Sequence, residues 1–230
     1  MGARNPESKN VKFYSLKAKV DATNDPFFSL TEKVNDSWQQ TATFNEMFGV
    51  ITKAEILERE FEGKKSNYFR FQLTDENEVS YVDMTHNGIT YSILNSLASD
   101  FDTTKEISIR VYKKEQEKDG KTYYNGKAYV AAEGDPLSWA VEIKDAPRPE
   151  LVTKADGSPV IVNGSKVYDK EGVVSFWEEL FNSKIKNKFS SDSVKQDSEN
   201  KKEEPKKEEK PQSKKVEQPV VDDEEDDLPF

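Results

Sequence analysis

The residues best placed to do chemistry in this chain alternate along predicted strands. In Tyr68-Phe69-Arg70-Phe71-Gln72-Leu73, the two-residue period of a strand sends Phe69, Phe71 and Leu73 to one side and Tyr68, Arg70 and Gln72 to the other. A later run sets Arg110 and Tyr112 against Ile109 and Val111, and its return run pairs Lys127 with Tyr129. Tyr81 joins the set if its strand shows the same register. Rings interleaved with cations suit single-stranded nucleic acid, because bases stack on rings while cations follow phosphates. Lys64 and Lys65 in one turn, and Lys113, Lys114, Lys118 and Lys121 around another, would border such a groove. Each residue alone has an ordinary explanation: strands favour Tyr, and turn lysines are solvated. The pattern carries the reading.

Other chemistries find less support. Asp75, Glu76 and Glu78 cluster at a strand turn, where solvation explains them. The enzymatic alternative is a nuclease holding magnesium on Asp75, Glu78 and Asp83, or a base at His86. With no cysteine, the chain has no disulfide framework, thiolate zinc site or cysteine nucleophile. With one histidine, it has no site needing two imidazoles. It carries no glycine-rich phosphate loop or nucleophile elbow. The expectation is a non-enzymatic protein without cofactor or metal.

The positioning elements follow from pattern and punctuation. Strands are expected over residues 48–61, 68–73 and 79–84, although residues 54–61 alone would also pass as helix. Asn87 can cap a helix with Ile89, Ile93, Leu94 and Leu97 on its apolar face. Two more strands surround the Asp119-Gly120 turn, and Gly126 marks a bulge or a close approach by another backbone. Three strands, a helix and two strands is the order of the oligonucleotide/oligosaccharide-binding (OB) barrel. The predicted fold class is therefore all-β or α+β: a five-stranded OB barrel over residues 44–133 with one helix between its third and fourth strands. Residues 1–43 form an N-terminal extension with a possible strand at residues 11–20. Residues 134–190 form a C-terminal extension: a β-meander with turns at Asp156-Gly157 and Asn163-Gly164, then a helix over residues 171–188.

Charge and aromatic content split the chain. Of 25 aromatic residues, residues 191–230 hold only Phe230. Residues 191–221 carry eight acidic and eight basic groups among Pro, Ser and Gln, and are expected to be a disordered linker. The bland alternative there, a solvated Glu–Lys helix, is disfavoured by Pro205, Pro211 and Pro219. Residues 222–230 carry six acidic groups and no basic ones. The formal net charge is −10, and residues 44–133 carry −4 of it, so any basic face must be local. The acidic body motivates the rival reading of a protein-interaction module, such as a chaperone or DNA mimic. No stretch approaches 18 apolar residues, and the N-terminus lacks a secretory apolar run, so a cytoplasmic protein with no membrane partner is expected.

The tip Asp222-Asp223-Glu224-Glu225-Asp226-Asp227-Leu228-Pro229-Phe230 joins an acidic run to an apolar end. It resembles the tip of bacterial single-stranded DNA-binding proteins, which end in acidic residues followed by an apolar-Pro-Phe tripeptide. That resemblance implies an OB body that coats single-stranded DNA in replication, recombination and repair, and a linker. It also implies a tip that recruits partner proteins through Leu228, Pro229, Phe230 and the acidic run. The long extensions and the Lys/Glu-rich linker resemble a divergent phage or viral member more than a housekeeping one, and the host cytoplasm would then be its location. RNA is a variant of the same reading, since stacking does not read the 2′-hydroxyl; oligomeric state is left open.

Overall fold

The computed structural model describes residues 10–61, 63–75 and 78–189. The expected linker, residues 191–221, and the tip, residues 222–230, lie outside the described residues, as does Glu76.

Nine strands form one mixed sheet. They are β1 (Asn10–Lys17), β2 (Phe27–Val34), β3 (Ser37–Phe44), β4 (Glu46–Phe61), β5 (Lys64–Thr74), β6 (Glu78–Thr85), β7 (Ile107–Lys118), β8 (Lys121–Ala132) and the short β9 (Asp135–Pro136). Helix α1 (Gly88–Leu97) stands between β6 and β7. The sheet order is β3-β2-β1-β6-β5-β4-β7-β8-β9. The five strands expected of a barrel are thus consecutive neighbours, β6-β5-β4-β7-β8, but the sheet does not close on itself. Instead β1 lies parallel to β6, with Phe13 opposite Tyr81 and Ser15 opposite Asp83. The N-terminal extension is therefore built into the sheet rather than appended to it.

β4 makes the arrangement possible because it serves two partners. Its first four residues pair with β7, and from Val50 onward it pairs with β5. The change of partner falls at Gly49, whose φ of +141° suits glycine alone, and a Cβ there would sit 3.3 Å from the Thr74 carbonyl oxygen. A register shift between Ile51 and Lys53 then bends the strand further. Residues 54–61, which could have passed for helix, are strand.

The inward rows of this bent sheet form the core. Phe69, Phe71 and Leu73 from β5 meet Val82 and Met84 from β6 and Ile107, Ile109 and Val111 from β7. The Asn87 side chain caps α1, accepting from Thr90 N–H at 3.0 Å. Gly126 on β8 admits the helix closely, since a Cβ there would lie 2.4 Å from Ile89 Cδ1. The close approach is made by a side chain.

The C-terminal extension completes that core. Turns fall at Asp156-Gly157 and Asn163-Gly164 as expected, but short ladders join β10 (Glu150–Leu151) to β13 (Tyr168–Asp169) and β11 (Ile161–Val162) to β12 (Ser165–Lys166), so the first strand pairs with the last rather than with the next as in a meander. Helix α2 (Glu171–Leu180) continues through a π turn over Phe181–Ile185 and a 3-10 turn over Lys186–Phe189. The Phe181 ring packs 5.1 Å from Phe69 and 5.7 Å from Phe71, and Trp177 stacks on Tyr91 at 5.0 Å. Lys188 closes the end by donating to the carbonyls of Leu97 and Ser99, and burial lowers its pKa.

Candidate nucleic-acid interface

With Phe69, Phe71 and Leu73 buried, strand geometry turns Tyr68, Arg70 and Gln72 outward. Across the ladder, Gln72 faces Tyr81 and Arg70 faces Asp83. Arg70 donates twice to Asp83, from Nε to Oδ1 at 2.7 Å and from Nη2 to Oδ2 at 2.8 Å. This fork fixes the guanidinium between two rings, 5.6 Å from the Tyr68 centroid and 5.5 Å from that of Tyr81. The Asp83 hydrogen bond also raises the pKa of Arg70.

The row extends in both directions through residues that the sequence did not single out. Arg59 on β4 reaches over Tyr68 at 5.9 Å. On β1, Phe13 stacks on Tyr81 at 5.4 Å with the rings 16° apart. Beyond it, Trp38 on β3 meets Phe13 edge-on at 6.0 Å and stands 63% exposed. Trp38, Phe13, Tyr81, Arg70, Tyr68 and Arg59 therefore form one line of rings and guanidinium groups, drawn from five strands and crossing six, since β2 lies between β3 and β1. The available signal was the turn composition at Asn35-Asp36; Ser37-Trp38-Gln39-Gln40-Thr41 shows no apolar alternation, and a register shift opposite Leu30 and Thr31 breaks the period of β3 there. Both turn residues take positive φ (49° and 65°) without a glycine to announce it.

The other expected residues form a second cluster on the β7–β8 half of the sheet. Arg110 faces Tyr129 and Tyr112 faces Lys127 across the ladder, on the outward side. Exposed Phe48 on β4 lies opposite Ser108 and belongs to the same surface. Arg110 is engaged by Glu46 at 2.9 Å, and Glu46 also accepts from Ser108, so its carboxyl titrates below the usual range. Lys114 shares the outward row opposite Asn125, while Lys118 and Lys121 face each other at the Asp119-Gly120 turn. Lys113 departs from the expected groove. The alternation that exposes Tyr112 turns Lys113 inward, where its Nζ lies 2.9 Å from Asp25 and over the Tyr124 ring at 5.4 Å. Lys64 and Lys65 begin β5, and Lys65 pairs with Glu58 at 2.9 Å.

The carboxylates considered for a nuclease take separate partners. Asp75 accepts from Glu78 N–H, Glu78 pairs with Lys12 at 2.5 Å, and Asp83 holds Arg70. Among the described residues, no group of three or more His, Asp or Glu is placed to hold a metal ion. His86 packs against Phe69, with Nδ1 3.3 Å from the Tyr91 hydroxyl and Nε2 3.2 Å from Glu178. Burial lowers its pKa against the opposing pull of Glu178, and burial likewise pushes Tyr91 up to about 12.

Comparison with models of known families, with curated proteins and with solved structures finds no match. The geometry must argue for itself. It offers a line of aromatic rings and guanidinium groups held in place by cross-strand pairs. No helix among the described residues is long and apolar enough to cross a membrane.

Proposed function

We propose that this chain is a non-enzymatic single-stranded DNA-binding protein whose contact surface is the outward face of β3, β1, β6, β5 and β4. The line from Trp38 to Arg59 carries this reading. Trp38, exposed at the end of the line, offers a ring that any base can stack on, at about 1–3 kcal/mol per stacked base, and the contacts along the line hold its neighbours in place beside it. The rings are already fixed by one another and by the Arg70–Asp83 fork, so little side-chain entropy is lost on binding. In the same reading, β4 to β8 with α1 are an OB barrel left open beside β6, whose edge β1 occupies. The resemblance of Asp222–Phe230 to a recruiting tip makes that segment the tether for replication, recombination and repair proteins. DNA is preferred to RNA on that resemblance alone.

Fluorescence titration tests the proposal, since exposed Trp38 would report stacked bases directly. Single-stranded oligonucleotides should quench emission and bind far more tightly than duplex. Tyr81→Ala, which removes the ring that holds Phe13 and Arg70 in line, should weaken that binding by about five-fold to one-hundred-fold. Equal affinity for duplex, or none for any single strand at low salt, would overturn the reading. Preferential capture of a basic protein by the body would favour the acidic interaction module instead.

A further inference from the structure

Beside the line of rings lies a hollow of about 260 Å3, lined by Phe13, Tyr14, Ser15, Thr31, Trp38 and Asp83. Its walls and its polar end have different chemistry. Phe13 and Trp38 meet edge-on, so the two rings form a corner against which a flat heterocycle can rest. Asp83, across the ladder from Ser15, lines the hollow too and brings a carboxylate to it. An ionised carboxylate has about four lone-pair sites and accepts only. Arg70 takes one on each oxygen, which leaves acceptor capacity for a donor in the hollow.

We propose that this hollow is a base subsite selecting nucleobases that carry an exocyclic amine and rejecting thymine. The inference rests on the reading of the face as a single-stranded DNA surface. Cytosine, adenine and guanine each carry an –NH2 group, whose partial positive charge complements Asp83. Thymine presents O4, an acceptor, in the place of the cytosine amine, and its one base-edge donor, N3–H, is flanked by the O2 and O4 acceptors, which repel a carboxylate that approaches it. The rest of the line remains indifferent to sequence, so the protein coats any strand but settles with an amino-bearing base at this one position.

The test compares dC and dT 20-mers, with dU as the control for the thymine methyl, on the full chain and on two variants. The native protein should bind dC about five-fold or more tightly than dT, with dU grouping with dT. Asp83→Asn adds a donor and should bring the dC/dT ratio close to one. Because that variant also releases Arg70, both affinities can rise together, and only the ratio reads the subsite. Trp38→Ala alters an exposed ring, so it keeps the test available if Asp83→Asn fails to fold; it should also collapse the ratio. Equal native affinities for dC and dT overturn the subsite and leave the DNA-binding reading intact. A dU 20-mer binding as tightly as dC also overturns it, since the methyl would then be what is read. Binding of none of the three would overturn the DNA-binding reading itself.

Discussion

At the scale of single residues, the interface is legible where chemistry is local and hidden where it is not. Tyr68, Arg70 and Gln72 can be placed outward because a strand's alternation depends only on neighbours in sequence. The same rule separates Lys113 from Tyr112 and Lys114. Grouping all the lysines near one turn ignores the parity that sends Lys113 to Asp25. Phe13 and Trp38 depend on a parallel pairing between segments more than sixty residues apart, and nothing local records it. His86 shows a further residue-scale effect. Its folded pKa is depressed by burial, so below its unfolded pKa of about 6.5 the unfolded chain takes up a proton that the folded chain resists. Stability from this group is complete above about pH 6.5 and falls as pH drops through that value. The groups facing the ring are Tyr91 and Glu178, and Glu178 also accepts from Asn67. The thermal midpoint should therefore decline from pH 7 to pH 5.5, and His86→Gln should flatten that decline. An unchanged slope in the variant would show that another group titrates.

At the scale of elements, strand order from β4 to β8 was readable because each strand has a clear period and each turn its own residues. The failure to close was not. Closure depends on what occupies the free edge of β6, and β1 competes for that edge from outside the predicted core. The C-terminal helix was legible as an amphipathic segment, but its depth of burial was not. Its residues Trp177, Phe181, Ile185 and Phe189 are buried in the same core as β5 and α1. An element packed this way should unfold with the sheet rather than ahead of it. Phe181 is wholly buried between Phe69 and Phe71, so Phe181→Ala should cost about 3–5 kcal/mol in urea unfolding. Phe176→Ala, on a partly buried neighbour, should cost less. A loss below about 1 kcal/mol for Phe181→Ala would mean that the helix docks only loosely, since fully buried aromatics do not leave so cheaply.

At the scale of the whole molecule, the net charge of −10 sets a condition on any contact with a polyanion. Several cations on or near the outward face already pair with carboxylates of the protein. Arg70 stands 2.7 Å from Asp83, Lys53 2.6 Å from Glu55, Lys65 2.9 Å from Glu58 and Arg110 2.9 Å from Glu46. A strand arriving at this face would displace few condensed counterions through these groups, because each already has a carboxylate beside it. Each phosphate neutralised on a single strand contributes about −0.7 to the slope of log affinity against log salt. Two or three such contacts would give a slope of only about −1.5 to −2. Added salt also screens the repulsion between the strand and the acidic body, which flattens the dependence further. Affinity for a single-stranded 20-mer should therefore fall only gently between 50 and 200 mM salt, on the order of ten-fold. Titrations at four or five salt concentrations would measure it. A slope steeper than about −4 would mean that a basic surface other than this line of rings carries the binding. A shallow one would tie affinity to stacking, and Tyr81→Ala should then weaken binding by a similar factor at every salt concentration.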